Sequence, residues 1–219
     1  AEGLQTLQPA AICSKGNLTV EVKDLQLQGQ AGLAIMKSTD CCDLTVFADT
    51  VHLSQTAYLQ NQSFGDLCVK AEYLVMQGSS ARQLATISAL SGSLQLDIGQ
   101  DIYLQGAAID LLEGDKKMRI AAGHDFFQQE TCFIRHLGKG LLELAVGGDL
   151  SLTASQFDDS NIQMFSGADC HIAAENILLA AASSAPEKAT VQITATNSLR
   201  LNAEREIFFK NSSLQVMEG

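Results

Sequence analysis

The chain lacks several residue types on which common protein classes depend. Its 219 residues include no tryptophan and only two prolines, and aromatic residues make up 5% of the total. The low proline content argues against a proline-rich linker. Apolar residues nevertheless make up 46% of the chain. We therefore expect a sizeable core that is built from aliphatic rather than aromatic side chains.

Basic residues are also scarce. Lys and Arg number 14 against 25 Asp and Glu, which gives a formal net charge of −11. This charge repels phosphate backbones and no basic stripe offsets it, so we expect no nucleic-acid partner. No apolar run reaches the roughly 18 residues that a spanning helix needs, so we expect no membrane insertion.

Signatures of metal and catalytic sites are absent as well. The six cysteines show no C-x-x-C spacing, which excludes the usual zinc-ribbon and redox motifs. Cys68 has an outward strand position and is the candidate for reaction or pairing, whereas Cys170 takes a core position. No G-x-S-x-G, H-E-x-x-H or P-loop pattern occurs. The histidines share no ligand spacing, and we expect them, including His124 and His136 in predicted turns, to be solvated.

The feature that the chain does contain is a repeated turn. Four copies of a Gly-x-Asp turn follow one another at intervals of 24, 24 and 20 residues, with aspartates at Asp101, Asp125, Asp149 and Asp169. Each copy lies between two short runs that alternate apolar and polar residues. A turn at a fixed place in a repeated strand–turn–strand unit is typical of a solenoid.

The alternating runs predict the strands, because period-two alternation places one face inside and the other in water. The first strand of each coil carries the apolar pairs Leu18/Val20, Leu44/Val46, Leu67/Val69, Leu94/Leu96, Met118/Ile120, Leu142/Leu144, Ile162/Met164 and Val191/Ile193. The second strand carries Leu25/Leu27, Val51/Leu53, Leu74/Met76, Ile102/Leu104, Phe126/Gln128, Leu150/Leu152, Cys170/Ile172 and Leu199/Leu201, among which only Gln128 is polar. A fainter third strand carries Leu33/Ile35, Leu59, Ile109/Leu111, Ile134, Phe157, Ile177/Leu179 and Ile207/Phe209.

Three short strands in a repeat of roughly 24 residues predict an all-β protein, a parallel β-helix of about eight coils. An antiparallel sandwich also has strands every 8–12 or so residues, but it does not predict Gly-x-Asp at the same phase in four successive coils. We expect an N-terminal cap or linker at 1–16 and a single β-helix domain at 17–219. Loop insertions are predicted at 78–89 and 183–188.

The aspartates of the repeated turn have two interpretations. Glycine allows a positive φ at a tight corner, and aspartate accepts hydrogen bonds from nearby backbone amides. Alternatively, carboxylates stacked about 4.8 Å apart would form a calcium column at Asp101, Asp125, Asp149 and Asp169, since Ca²⁺ prefers oxygen ligands. The denser glycine pattern of calcium-binding repeats is absent. We therefore favour structural turns and expect no metal, cofactor or catalytic residue.

Three blocks of sequence resemble the haemagglutinin repeats of filamentous haemagglutinin-type exoproteins and of contact-dependent inhibition stick proteins. They are AVGGDLSLTA at 145–154, IAAGHD at 120–125 and GADCHIAA at 167–174. The resemblance is best over 90–182 and implies a right-handed β-helical shaft that holds a tip away from a bacterial surface. The chain departs from the family in its short length, its six cysteines and the lack of a recognisable secretion domain. The β-helical tail of type VI secretion spike proteins is similar too.

These features predict a non-enzymatic structural module, a rigid rod that is secreted or placed on the bacterial cell surface. It would serve as an adhesin shaft that presents a receptor-binding part, or as a self-associating filament subunit. The alternatives are a carbohydrate-active β-helix enzyme, which requires an acidic and aromatic cleft along one flank, and a spike component of a secretion machine.

The two ends of the sequence carry further expectations. Leu214 and Val216 continue the alternation, so we expect end-to-end stacking into homo-oligomers or continuation of a longer chain. The first residue is Ala1, from which we expect a removed leader or a piece of a longer protein.

Overall fold

The computed structural model describes residues 4–7, 11–38, 42–80, 83–155, 160–182 and 189–217. Within these ranges the chain forms strands and no helix. The strands are β1 Leu4–Leu7, β2 Ala11–Ser14, β3 Leu18–Glu21, β4 Asp24–Ser38, β5 Leu44–Asn61, β6 Leu67–Gln77, β7 Ala85–Ala89, β8 Leu94–Ile98, β9 Ile102–Leu111, β10 Met118–Ala122, β11 Phe126–His136, β12 Leu142–Val146, β13 Asp149–Ala154, β14 Ser160–Ser166, β15 Asp169–Ala181, β16 Ala189–Ala195, β17 Ser198–Lys210 and β18 Ser212–Val216.

These strands stack as a parallel β-solenoid with three faces. Every strand pairing between successive turns is parallel, so the predicted all-β parallel β-helix is confirmed and the antiparallel sandwich is wrong. Face 1 aligns Leu18, Leu44, Leu67, Leu94, Met118, Leu142, Cys170 and Leu199. Face 2 aligns Leu25, Val51, Leu74, Ile102, Phe126, Leu150, Ile177 and Ile207. Face 3 aligns Met36, Leu59, Ile87, Ile109, Ile134, Met164, Ile193 and Leu214.

One aliphatic core runs along the axis from Leu25 to Ala195. About six turns, which start on face 1 at Leu44, Leu67, Leu94, Met118, Leu142 and Cys170, are closed around buried inner side chains. Leu18 and Leu199 start the turns on either side of these six, and their side chains are only half-buried. A solenoid turn is covered fully only when it lies between two neighbouring turns. The expected eight coils therefore slightly exceed the number of closed turns.

The predicted assignment of strands to coils holds as far as Leu152 and is wrong beyond it. Ile162/Met164 and Val191/Ile193, expected in first strands, lie on face 3. Cys170/Ile172 and Leu199/Leu201, expected in second strands, lie on face 1. The pairs Ile177/Leu179 and Ile207/Phe209, expected in third strands, lie on face 2. Inside and outside are nevertheless correct for the pairs from Leu44/Val46 to Val191/Ile193, because a shift by one face preserves the alternation. The pair Leu33/Ile35 is one position out of phase, because Ile35 aligns with Tyr58, whereas Met36 aligns with the buried Leu59.

Three expectations concern the flanks of the rod. The insertion predicted at 78–89 is too long, because residues 85–89 form the buried strand β7 on face 3. The insertion at 183–188 and Phe157 lie outside the described residues. Residues 4–7 and 11–14, expected in an N-terminal cap, pair in parallel with β4 and so extend the ladders by part of a turn.

Candidate functional site: an acidic corner and its groove

One corner of the rod stacks carboxylates from turn to turn. This acidic corner, between face 1 and face 2, carries Asp101, Asp125 and Asp149 in three consecutive turns. Asp101 Oδ1 accepts a hydrogen bond from the Asp125 backbone N–H at 3.1 Å, and Asp125 Oδ1 accepts one from the Asp149 N–H at 2.8 Å. Asp149 Oδ1 accepts one from Asn176 Nδ2 at 2.6 Å. Each carboxylate therefore joins its own turn to the next one, which supports the structural interpretation.

Asp169 does not belong to this column. It lies at the corner that precedes face 1, where its Oδ1 accepts a hydrogen bond from Ser198 Oγ at 2.6 Å. The predicted calcium column of four residues is therefore not assembled. The physical reason is that a Gly-x-Asp turn fits more than one corner of a solenoid turn, so its recurrence does not specify which corner it forms.

Similar hydrogen bonds from a backbone N–H to a side-chain oxygen join earlier turns at the corner before face 1, which is the corner between face 3 and face 1. Asn17 Oδ1 accepts the Asp43 backbone N–H at 3.0 Å, Asp43 Oδ1 accepts the Asp66 N–H at 2.8 Å, and Asp66 Oδ1 accepts the Ser93 N–H at 2.8 Å. These residues have no Gly-x-Asp pattern, and sequence reasoning missed them. The detectable signal was an Asp or Asn directly before the first-strand pair of successive repeats.

His124 adds a nitrogen to the acidic corner. Its Nδ1 atom lies 3.0 Å from Asp101 Oδ1 and 3.4 Å from Asp125 Oδ2. One ligand atom from each of these three residues lies within 4.8 Å of the other two, so the set is compatible with a divalent cation. It is equally compatible with a protonated imidazole between two carboxylates. The hydrogen bond to Asp101, followed by the charge of Asp125, raises the pKa of His124 and favours the latter.

Buried polar side chains close the corner between face 3 and face 1. The expectation that His136 is solvated is wrong, because this residue is fully buried. Its Nε2 atom donates to the Lys116 carbonyl oxygen at 2.7 Å, and its Nδ1 atom accepts the Gly138 N–H at 3.2 Å. Burial lowers the pKa of His136. The imidazole therefore replaces the ladder bonds that the turning backbone cannot make.

Asn61 and Ser166 occupy the same corner in other turns. Asn61 Nδ2 donates to the carbonyl oxygens of Cys42, Gly65 and Asp66, and Ser166 Oγ donates to the Asp169 carbonyl oxygen. Each follows an inner apolar residue of face 3 by two positions. That repeated spacing was the signal available in the sequence.

Three of the described cysteines, two in the core and one on the outer side of face 1, have thiols with raised pKa values. Cys132 and Cys170 are fully buried, and burial raises the pKa of each thiol to about 12. Cys68 lies on the outward side of face 1, as expected, but it is half-buried and burial raises the pKa of its thiol too. None of these three has the lowered pKa of an activated nucleophile.

A groove of about 820 Å³ runs along face 1 beside the acidic corner. Its floor consists of small and aliphatic side chains such as Ala71, Ala122 and Val146. Its rim carries the acidic residues Glu21, Asp49, Glu72 and Asp97 and the basic residues Lys70 and Arg119. Phe47 is the one aromatic side chain among the described lining residues. The groove is therefore acidic and partly apolar, with little aromatic surface.

The two cations of the groove are already engaged. Arg119 forms an ion pair with Asp97 and lies 3.5 Å from Glu143. Lys70 Nζ lies 5.9 Å from the centre of the Phe47 ring, a cation–π geometry. Glu21, Asp49 and Glu72 have no side-chain hydrogen bond or ion pair within the described part of the chain. Three exposed carboxylates are therefore available to a ligand in the groove.

Comparison of the chain with protein-family models, curated proteins and solved structures finds no match. The resemblance to haemagglutinin repeats stays a prediction from the sequence. The described residues include no helix that is long and apolar enough to cross a membrane.

Proposed function

We propose that the chain is a non-enzymatic structural module, a rigid β-helical rod. It serves as the shaft of a secreted or cell-surface adhesin or as a subunit of a filament. Parallel ladders on three faces and side-chain bonds such as Asp125 to Asp149 connect each turn to the next. Bending such a rod breaks hydrogen bonds on at least one face, so the fold keeps its two ends at a fixed separation.

The observation that carries this proposal is the open end of the last described turn. The inner side chains of Ile207, Phe209 and Val216 are 41%, 45% and 53% exposed. The equivalent residues one turn earlier, Ile177, Leu179 and Ala195, are buried. Exposed apolar inner side chains and an unpaired strand edge are covered when another turn of a β-solenoid stacks on them. A further turn of a longer chain or a second copy would supply this layer.

Light scattering over a concentration series tests stacking in the chain as it stands. We expect the average mass of the wild type to rise with concentration and to depend weakly on salt, because the contact is apolar and backbone-mediated. Val216→Lys places a charge on the open edge and lowers this association. Gln215→Lys is the matched control, since Gln215 is exposed on the outer side, where it accepts a hydrogen bond from Gln192. A wild type that stays monomeric throughout contradicts the self-association part of the proposal.

A carbohydrate-active enzyme is the second candidate, and the acidic groove of face 1 is the observation that favours it. Glycosidases use two carboxyl groups that flank the scissile bond. However, Asp97 is paired with Arg119, and Phe47 is the sole aromatic platform among the described lining residues. Turnover of acidic or neutral polysaccharides that is lost in Glu72→Gln would establish the enzyme and contradict the structural role.

A further inference from the structure

The groove of face 1 owes its shape to a change of side-chain size along the rod. The outward-facing column nearest the acidic corner carries side chains longer than alanine in four successive turns and alanine in the next three. These are Glu21, Phe47, Lys70 and Asp97, followed by Ala121, Ala145 and Ala173. Ala121, Ala145 and Ala173 form a flat strip, the alanine shelf, beside the half of the groove whose longer side chains project further from the sheet. The groove lining extends from Glu21 to Ala173, which are six turn-to-turn steps apart. At about 4.8 Å per step the groove is about 29 Å long.

The charge of the groove selects the sign of its ligand. The carboxylates of Glu21, Asp49 and Glu72 lack partners within the described residues. Of the two cations in the lining, Arg119 is paired with Asp97 and Lys70 lies over the Phe47 ring, so carboxylates remain in excess. The acidic corner continues this negative surface along the same flank with Asp125 and Asp149. An anionic ligand would be repelled here, whereas a cationic ligand would be attracted and oriented.

The geometry and charge together identify the occupant. We propose that the groove of face 1 binds an extended, lysine- or arginine-rich peptide segment that lies along the rod axis. Its cationic groups pair with Glu21, Asp49 and Glu72 in the first half of the groove, and the aliphatic parts of its following residues lie on the alanine shelf around Ala145. At about 3.3 Å per extended residue, the groove accommodates about nine residues. This binding is independent of the structural role proposed above.

Fluorescence anisotropy with a labelled peptide of nine alternating Lys and Ala residues, KAKAKAKAK, tests the proposal on the full chain. We expect saturable binding that weakens as salt increases, and about tenfold weaker binding for the double variant Asp49→Asn/Glu72→Gln. Ala145→Phe fills the shelf without changing charge, and we expect a similar loss. The matched control is Glu113→Gln/Asp115→Asn, which removes the same charge from an exposed turn outside the groove lining and should leave the Kd within about twofold.

Four results would overturn the proposal. One is an equal loss of affinity in the control variant, which would indicate a general charge effect. Another is unchanged affinity in Ala145→Phe, which would place the peptide elsewhere. The third is equal binding of the peptide EAEAEAEAE, and the fourth is binding of neutral oligosaccharides without binding of the lysine peptide. If Ala145→Phe does not fold, the double charge variant, which adds no volume, decides the question.

Discussion

The Oδ1 atom of Asp125 accepts a hydrogen bond from the backbone N–H of Asp149, one turn further along the rod, at 2.8 Å. Asp101 does the same for the N–H of Asp125. Backbone hydrogen bonds also join the turns at this corner, for example from the Gly148 N–H to the His124 carbonyl oxygen at 2.7 Å. The carboxylates add a bond for the Asp125 and Asp149 N–H groups, and this role leads to a first prediction.

Asp125→Ala removes the acceptor for the Asp149 N–H and should lower the free energy of unfolding by about 1–2 kcal/mol. Asp125→Asn keeps an oxygen acceptor and should lower it less. Asp115→Ala, at an exposed position in another turn, is the control and should have almost no effect. Urea unfolding of the three variants provides the measurement. Equal losses for Asn and Ala at position 125 would assign the effect to charge instead.

Leu150 tests the inner and outer assignment of face 2. Its side chain is fully buried, and it aligns with Phe126 and Ile177 in the turns on either side. Leu150→Ala should lower the free energy of unfolding by about 2–5 kcal/mol, the usual range for a large-to-small change in a core. Ser151→Asp, on the outer side, should have little effect. Similar losses at the two positions would show that the assignment of faces is wrong.

Gln128 is a polar residue at a core position. It aligns with Leu104 and Leu152, it is fully buried, and its amide nitrogen and oxygen have no hydrogen-bond partner among the described residues. The thiol of Cys132 interacts with it, but sulfur is a weak hydrogen-bond partner. Gln128→Leu should therefore raise the free energy of unfolding by about 1–3 kcal/mol.

The neighbouring Gln129 provides the control for this prediction. Its side chain is exposed, so Gln129→Leu should change the free energy of unfolding by no more than about 0.5 kcal/mol. Chemical denaturation of both variants gives the comparison. A destabilised Gln128→Leu protein would mean that the buried amide is satisfied, for example by internal water.

His136 predicts how stability depends on pH. Burial lowers its pKa in the folded state, so the unfolded state binds the proton first as the pH falls. Its contribution is complete above the unfolded pKa of about 6.5 and is lost as the pH decreases towards the folded pKa. His124 acts in the opposite direction because its pKa is raised by Asp101. Its contribution is complete below the unfolded pKa and is lost as the pH rises through the folded pKa.

Unfolding experiments between pH 5 and 8 in a His124→Gln background separate the two histidines. In that background we expect stability to fall below about pH 6.5. His136→Gln in the same background should be less stable at neutral pH but should lose this dependence. An unchanged dependence after both substitutions would assign it to another group.

The parallel β-solenoid is predictable from the sequence because the apolar alternation of each strand is strong. The stacking of Asp101, Asp125 and Asp149 is predictable too, since their interval of 24 residues equals one turn of the rod in that region. The position of Asp169 is not, because Gly-x-Asp does not always form the same corner. The structure shows that aspartate acceptors serve at more than one corner, as Asp43 does for the Asp66 N–H.

Burial of polar residues at the corners could not be predicted from alternation. His136 and Asn61 lie at positions where an apolar residue such as Leu111 stands in another turn. Their role depends on backbone carbonyl groups that only the folded corner brings within reach. The groove of face 1 was equally invisible, because it results from residues about 24 positions apart that align only after the register of the turns is known.

Small-angle X-ray scattering of the wild type and of Val216→Lys tests the structural role most directly. For Val216→Lys we expect an elongated monomer, in which seven turn-to-turn steps from Leu18 to Leu199 span about 34 Å along the axis. For the wild type, rising concentration should increase the maximum dimension in steps of about one rod length, while the cross-sectional radius of gyration stays constant. A cross-section that grows with concentration, or a compact particle in both proteins, would contradict a rod that assembles through its open end.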